Sequence, residues 1–185
     1  LQKHGEIVID LEGLAHHKGS AFGNIGQPEK PSQEHFENKL ALALRDTSKK
    51  QTERIWVEDE SQRIGRVNIP TSLWKQMRQS PVHFLDIPFE SRLQYITQGY
   101  GSLNAQRLAD ATDRIRKKLG DKNATEAINF IQAGQITEAF DILLRYYDKQ
   151  YKKSLLNREN AETLIRLIDA TSVNESNAAL LLNHG

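Results

Sequence analysis

EIVIDLEGLAHHKGSAFG, residues 6–23, decides the fold together with RIWVEDESQRIG, residues 54–65. In each segment a short run of β-branched or aromatic residues leads into acidic residues, which are Asp10 and Glu12 in the first and residues 58–60 in the second. Such runs are typical of strands covered on both faces. Open α/β sheets bind ligands beyond the carboxyl ends of their strands. We therefore expect the two strands to lie side by side and to present their acids to one shared cleft.

Composition indicates an ordinary globular protein. The chain has 185 residues, enough for one domain or for one domain with a helical appendage. Its 25 Lys and Arg residues balance 24 Asp and Glu residues, which gives a formal net charge of +1. Bulk charge therefore predicts no polyanionic partner, and any nucleic-acid contact must come from local clusters.

The chain contains no cysteine, which excludes disulfides, thiolate nucleophiles and cysteine-based metal sites from it. No apolar stretch reaches the roughly 18–20 residues of a membrane span, and the first residues, LQKHGE, do not resemble a signal peptide. We expect a cytoplasmic protein. Because the sequence begins with Leu1 and not with methionine, we also expect a fragment of a longer protein.

A βαβ unit is predicted for the first part of the chain. Residues 13–31 hold four glycines and two prolines and are expected to form a long loop. Ser32 is a suitable N-cap for a helix over 33–45, where apolar residues recur at helical spacing. Residues 46–53 are polar and are predicted to connect this helix to the second strand, through a right-handed crossover.

Further strands and helices alternate after this unit. A turn is expected around Gly65, followed by a short extended segment and by a helix from Thr71. Residues 81–87 read as a third buried strand, and residues 89–99 as a helix. Three strands alternating with helices predict an α/β fold with a parallel sheet flanked by helices.

From Asn104 the pattern is helical, which predicts two domains, residues 1–103 and an all-helical subdomain over 104–185. One helix is expected up to Leu119, and a second is expected to open with a capping box of Asn123 and Glu126. The remaining expected helices cover 136–151, 161–168 and 178–182.

Asp10 is the first candidate for chemistry. An acid that ends an apolar strand holds Mg²⁺ in P-loop phosphotransferases, yet strands also end in Asp because it caps the next turn. The phosphate-binding sequence G-x-x-x-x-G-K-[ST] is absent from the chain. Both interpretations of Asp10 stay open at this point.

The glycine-rich loop is the second candidate. His16, His17, Lys18 and Ser20 lie among glycines, a composition suited to binding an anion, while a plain surface loop is the alternative. Arg63 and Arg66 follow the acids at 58–60 and can neutralise them, which leaves either a ligand site or a solvated acidic turn.

Basic residues cluster in two helical stretches, with tyrosines interleaved in the second. Cations and aromatic rings together suit RNA phosphates and bases, although most charged runs are only the solvated face of a helix. The two clusters are Arg114, Arg116, Lys117, Lys118 and Lys122, and Arg145, Lys149, Lys152, Lys153 and Arg158.

Several uncommon short sequence motifs follow one another within residues 6–100. Together, and in this order, they resemble the sequences of the tRNA 2-selenouridine synthases. These motifs are DLEGLA, HHKGS followed by FG, QP, FEN, and WVEDES followed by IG. The family consists of bacterial enzymes that modify the wobble uridine of certain tRNAs. The helical remainder agrees with the family in character but carries no motif.

The resemblance implies a two-part transferase with a rhodanese-like domain, which carries a catalytic cysteine, and a P-loop-containing domain, to which this chain would belong. Such enzymes replace the sulfur of 2-thiouridine with selenium from selenophosphate. They also attach a geranyl group from geranyl diphosphate, and the S-geranylated base is the expected intermediate. Because this chain lacks both cysteine and the Walker-type loop, we expect no catalytic residue in it and no turnover by the fragment alone.

On this interpretation each candidate residue receives a role. Asp10 and Glu12 are expected to bind a metal, with Mg²⁺ as the candidate, and four further residues are expected to bind the anionic donor. Those four are His16, Lys18, Ser20 and Arg63. The expected tRNA contacts are Arg66, Arg92, Arg116, Lys117, Lys149 and Lys153.

Two alternatives remain. A truncated P-loop small-molecule kinase would share the strand-end acid, and a noncatalytic RNA-binding module would share the basic helices. If the chain comes from a kinase, we expect it to phosphorylate a small molecule with a nucleoside triphosphate and to leave tRNA unchanged. The RNA-binding module predicts salt-dependent tRNA affinity from this chain alone.

Overall fold

A computed structural model describes residues 1–48 and 54–183, which form two compact units, Leu1–Ser80 and Pro81–Gly185. The two units are described separately below. The predicted division into residues 1–103 and 104–185 stays a prediction, since compactness alone does not test which segments fold independently. Part of the predicted connection over 46–53 lies outside the described residues.

The first unit begins with a parallel pairing of the two segments that decide the fold. After a short 3₁₀ turn over Gln2–His4, Val8 pairs with Trp56 in parallel. The Trp56 N–H donates to the Ile7 carbonyl at 2.8 Å, and the Ile9 N–H donates to the Trp56 carbonyl at 2.9 Å. The predicted side-by-side arrangement is confirmed. The pairing is one bridge long because the chain turns into a helix directly after Asp10.

That helix, α1, spans Leu11–Ala15, so the predicted loop over 13–31 begins later than expected. Asp10 is its N-cap, and the Asp10 side chain accepts from the Gly13 N–H. A second helix, α2, spans Gln33–Ser48. It begins where predicted, but it continues past residue 45, so residues 46–48 are helical and not part of the connection. The Ser32 hydroxyl accepts from the His35 N–H at 3.1 Å, which confirms Ser32 as the cap.

A tight hairpin follows the second segment. Strands β1, Arg63–Ile64, and β2, Val67–Asn68, are antiparallel. The turn between them needs positive φ at Gly65, where φ is 59°, as predicted. Helix α3 then spans Thr71–Gln79.

The hydrophobic core of the first unit lies between the paired segment, α1, α2 and the hairpin. Burial of such side chains contributes roughly 1.5–3 kcal/mol each, so the core holds the site-bearing segments in register. Its buried members are Ile9, Leu11, Ala15, Phe36, Leu40, Ile64, Val67, Ile69 and Met77.

The second unit contains a parallel pair of strands. Strand β3, Val82–Asp86, confirms the predicted third strand. It pairs with β4, Ile165–Asp169, in a register that sets Val82 opposite Ile165 and Asp86 opposite Asp169. The α/β class with a small parallel sheet flanked by helices is confirmed.

The predicted helix over 161–168 is wrong. Only Ala161–Leu164 is helical, forming one turn, and the chain then extends as β4. Ile165 and Ile168 are β-branched, and β3 offers them a complete ladder of backbone partners. Long-range pairing therefore overrides a local pattern that suits either structure.

Helices make up most of the rest of the second unit. Their bounds are α4 Phe89–Tyr100, α5 Ala105–Arg114, α6 Arg116–Leu119, α7 Asp121–Gln132, α8 Ile136–Leu156, α9 Ala161–Leu164 and α10 Asn177–Asn183. The single helix expected up to Leu119 is interrupted at Ile115, which has φ −101° and ψ 5°. The predicted capping box is wrong, because α7 begins at Asp121 and the Asn123 side chain donates to the Leu119 carbonyl instead.

Helices α4 and α8 pack together in this unit. The Arg92 guanidinium donates to both oxygens of Asp148, at 2.6 and 2.9 Å, and to the Ile87 carbonyl at 2.9 Å. The Tyr100 and Phe140 rings stack with centroids 5.2 Å apart. Among the residues described, no helix combines the length and the apolar character that a membrane crossing requires.

Candidate functional site

The parallel pairing of Val8 with Trp56 brings two acids together directly. Asp10 comes two residues after Val8, and Glu58 comes two residues after Trp56. Because the pairing is parallel, the two acids lie at equivalent positions beyond it. Glu58 accepts the Leu11 N–H at 2.9 Å, and its side chain also shares a hydrogen bond with that of Asp10. The first turn of α1 therefore carries a carboxylate from each segment.

A second acid pair lies two residues further along each segment. The Glu12 and Glu60 side chains share a hydrogen bond. A Cβ atom added at Gly19 would meet Glu60 Oε1 at 2.3 Å and Glu12 Oε1 at 2.9 Å. We refer to Asp10, Glu12, Glu58 and Glu60 as the acidic cluster.

Burial raises the pKa of three members of the acidic cluster above the usual range of a glutamate. Removal from water is the largest cause that raises the pKa of Glu12 to about 7, and the hydrogen bond and charge of Glu60 add to it. Burial likewise raises the pKa of Glu58 to about 7, although the Leu11 N–H opposes this by stabilising the carboxylate. The pKa of Glu60 is also raised, again mainly by burial. At neutral pH the cluster therefore holds exchangeable protons.

The loop after α1 places its polar residues next to this cluster. Lys18 is exposed, and its charge lowers the pKa of Glu12, which places the ammonium group within electrostatic reach. The Lys18 N–H donates to the Gly23 carbonyl at 2.9 Å, and Ser20 Oγ accepts from the Phe22 N–H at 3.2 Å. Gly19 has φ 63°, a conformation that suits glycine. The loop is therefore a compact turn held by its own backbone.

His16 has a positive φ of 48° at the end of α1, and its ring Nδ1 lies 2.5 Å from the Glu29 carbonyl oxygen. Arg63 Nε donates to the carbonyl of Gly65 at 3.1 Å. The structure thus places Lys18 and Gly19 beside the acidic cluster, whereas His16 contacts the Glu29 backbone and Arg63 lies on the hairpin.

His17 connects the loop to the hairpin. The sequence placed it in the candidate anion loop, but it was not among the four residues expected to bind the donor. Its side chain is buried, and a Cβ atom at Gly65 would come within 2.6 Å of its ring. A Cβ atom at Gly23 would come within 2.9 Å of its Nδ1 atom. Gly23 and Gly65 thus leave space for the His17 ring because they have no side chains. These two glycines were the feature of the sequence that could have indicated a buried ring here.

Asp10 and Glu12 are the two predicted metal ligands. Asp10 caps α1, which confirms the capping interpretation without testing the metal. Within residues 1–48 and 54–183, no group of three or more His, Asp or Glu side chains is arranged to hold a metal ion. Mg²⁺ commonly takes only one or two protein carboxylates, with waters and substrate phosphates completing its shell. Asp10 and Glu12 fit that smaller requirement, and Mg²⁺ there stays a prediction.

The predicted tRNA contacts divide into two groups. Arg92 is paired with Asp148, and Arg116 is held by Asp113 at 2.8 Å and by Asp121 at 2.6 Å. The others have exposed side chains, and they are Arg66, Lys117, Lys149 and Lys153.

The fold and the acidic cluster define an α/β protein with a proton-holding carboxylate site where two parallel segments end. The chain belongs to the family described as "tRNA 2-selenouridine synthase AAA domain", whose model matches residues 1–176. This confirms the resemblance inferred from the sequence motifs.

Several relatives carry the name tRNA 2-selenouridine synthase. The protein from Shewanella piezotolerans is 35% identical over 78% of this chain and 47% of its own length. The protein from Aeromonas salmonicida is 33% identical over 84% of this chain and 50% of its own length. The chain thus spans about half the length of the curated relatives that it matches. No solved structure matches it.

Proposed function

We propose that this chain is the part of a tRNA 2-selenouridine synthase that binds the phosphorylated donor beside the acidic cluster and contacts tRNA through exposed basic residues. The single observation that carries the proposal is the pairing of Val8 with Trp56, because it unites the acids of both family motifs. Membership of the family supports the same substrate class.

The proposed reaction converts wobble 2-thiouridine to 2-selenouridine with selenophosphate, through S-geranylation from geranyl diphosphate. In the first step sulfur forms a bond to the geranyl carbon, and the carbon–oxygen bond to diphosphate breaks. The leaving diphosphate takes the electron pair, so negative charge develops on its oxygen. Groups that neutralise this charge accelerate such a step.

We propose that residues of the chain neutralise the negative charge of the leaving diphosphate in two ways. Lys18, with His16 and Ser20 in the same turn and Arg63 on the hairpin, is proposed to hold the anion. Glu58, which has a pKa of about 7, is proposed to supply a proton to a departing oxygen. Bound Mg²⁺ at Asp10 and Glu12 would supply positive charge to the donor phosphates.

For tRNA we propose Arg66, Lys117, Lys149 and Lys153 as phosphate contacts, because their side chains are exposed. Arg92 forms an ion pair with Asp148, and Arg116 forms one with Asp121, both within the second unit. We propose that these two arginines act mainly in packing. The rhodanese-like domain and its cysteine would belong to the parent protein outside this chain.

The test uses the complete parent protein, tRNA carrying 2-thiouridine, selenophosphate and geranyl diphosphate, with mass spectrometry of the modified nucleoside. Glu12→Gln and Arg63→Ala should each lower product formation at least about tenfold, which corresponds to 1.4 kcal/mol. Glu126→Gln, which removes an exposed acid on α7, is the matched control. Full activity in both site variants would refute the proposed site. Nucleotide-dependent phosphorylation of a small molecule, without any change in tRNA, would favour the kinase instead.

A further inference from the structure

The second unit contains a cleft that the proposed function does not use. It has a volume of about 700 Å³ and lies at the carboxyl ends of β3 and β4. Small-molecule sites typically measure roughly 300–1,000 Å³, and this end of a parallel sheet is where ligands of α/β proteins bind. The size and the place of the cleft are therefore those of a ligand site.

Two aspartates on adjacent strands lie side by side in the lining of the cleft. Asp86 ends β3 and Asp169 ends β4, and the two are paired in register. The Ala170 N–H donates to the Asp86 carbonyl at 3.1 Å, which extends the ladder beyond the strands. No Lys, Arg or His lines the cleft within the described part of the chain. A phosphate or diphosphate would therefore be repelled, and a neutral ligand rich in hydrogen-bond donors is favoured.

A buried amide provides a further acceptor. Asn177 lines the cleft, is only 7% exposed, and donates through Nδ2 to the Ser172 carbonyl at 2.8 Å. Ser91 Oγ donates to the Thr171 carbonyl at 3.1 Å, which anchors the loop after β4. The acceptors of the cleft are thus held in place before any ligand binds.

We propose that this cleft binds a ribonucleoside, with ribose hydroxyls donating to Asp86 and Asp169 and the base lying against Pro88 and Leu180. Vicinal hydroxyls are suitable donors for strand-end carboxylates. The apolar wall formed by Pro88 and Leu180 favours a flat base over a plain polyol. This site goes beyond the proposed transferase function, because a nucleoside can bind here whether or not the acidic cluster handles a phosphorylated donor.

The nucleoside can be a free molecule or the 3′-terminal unit of an RNA strand, because both of these present the vicinal 2′ and 3′ hydroxyls. The test is a ¹H–¹⁵N NMR titration of the full chain with adenosine, guanosine, cytidine and uridine separately. At least one should cause saturable shifts in the amides of 169–177. Its 2′-deoxy counterpart should bind at least about tenfold more weakly. A short single-stranded RNA of the same base forms a parallel arm. If this RNA shifts the same amides, the cleft can bind a nucleoside that is part of RNA. If only the free nucleoside shifts them, the ligand is the free molecule.

Variants make the test specific. Asp169→Asn and Asp86→Asn preserve shape, and each should weaken binding at least about tenfold. Glu126→Gln, at an exposed position on α7 that does not line the cleft, should bind as the unaltered chain does. The same spectra report whether each variant is folded. Absence of shifts with all four nucleosides, or binding that neither aspartate variant weakens, would overturn the proposal. Failure of this test would leave the transferase proposal untouched, because no modification activity is measured.

Discussion

The Glu58 carboxylate accepts a hydrogen bond from the Leu11 N–H at 2.9 Å, although the two residues are 47 positions apart in the chain. This contact joins the end of the second segment to the first turn of α1, which Asp10 also caps. The acidic cluster is consequently part of the fold as well as a candidate site. Substitutions in it must separate an effect on stability from an effect on chemistry.

The raised pKa of Glu12 predicts a pH-dependent stability. The folded chain binds more protons than the unfolded chain between about pH 4.5 and 7, so stability should fall as pH rises through that window and level off above it. Glu12→Gln should remove this loss. After discounting for partial exposure, we expect a gain of about 1 kcal/mol at pH 8, or about 2–4 °C in melting temperature. Thermal unfolding at pH 5 and pH 8 measures it. A gain of the same size in Glu126→Gln would contradict the explanation.

Asp10 has a capping role that can be separated from its proposed role in the site. Asp10→Ala should lower the free energy of unfolding by about 1 kcal/mol, whereas Asp10→Asn keeps an oxygen for the Gly13 N–H and should cost little. Both should lose activity in the complete protein if the charge is needed. Asn104→Ala, which removes the cap of α5, is the matched control for destabilisation alone. An active Asp10→Asn protein would leave Asp10 with only its capping role.

Two glycines test how closely the loop approaches the acidic cluster. Gly19 and Gly26 have φ 63° and 75°, so alanine at either position should cost about 1–2 kcal/mol of strain. Only at Gly19 would the new Cβ atom meet Glu60 and Glu12, while nothing lies within 4 Å at Gly26. Gly19→Ala should therefore also disturb the Glu12–Glu60 hydrogen bond and weaken the pH dependence of stability. Denaturant unfolding across pH 5–8 compares the two, and identical pH profiles would contradict this placement.

Exposed and ion-paired cations should behave differently toward tRNA. Lys149→Ala should reduce the slope of log affinity against log salt by about 0.7–0.9, the effect of one lost phosphate contact. Arg116→Ala should leave the slope unchanged, because Asp113 and Asp121 already bind its guanidinium. Filter binding or fluorescence anisotropy over a salt series measures both. A larger change for Arg116→Ala would reverse the assignment.

Local sequence was sufficient for the parts of the site that depend on short-range pattern. The β-branched runs at 7–9 and 55–57 predicted the pairing, and the acids that follow them predicted the cluster. The alternation of a strand also places Glu58 and Glu60 on the same side, two residues apart. That signal was present, but neither residue was included in the predicted site because the three adjacent acids were considered as one turn.

Other features depend on partners that are distant in sequence. Residues 165–168, IRLI, fit a helix as well as a strand until β3 supplies a ladder. The burial of His17 requires both Gly23 and Gly65 to lack side chains, and Gly65 is on a hairpin far along the chain. The ion pair of Arg92 with Asp148 likewise joins residues 56 positions apart, and it is the reason why we propose a packing role for Arg92. Helical periodicity reports which face a residue occupies and not which charge it meets there.

Carbon-13 NMR titration of the glutamate side-chain carboxyls tests the shared cluster most directly. Glu12 and Glu58 should titrate with midpoints of about 7, and the Glu12 midpoint should fall in Glu60→Gln because a neighbouring charge is removed. Midpoints near the ordinary value of 4.5 for both carboxyls, unchanged by Glu60→Gln, would show that the two segments do not bring their acids together.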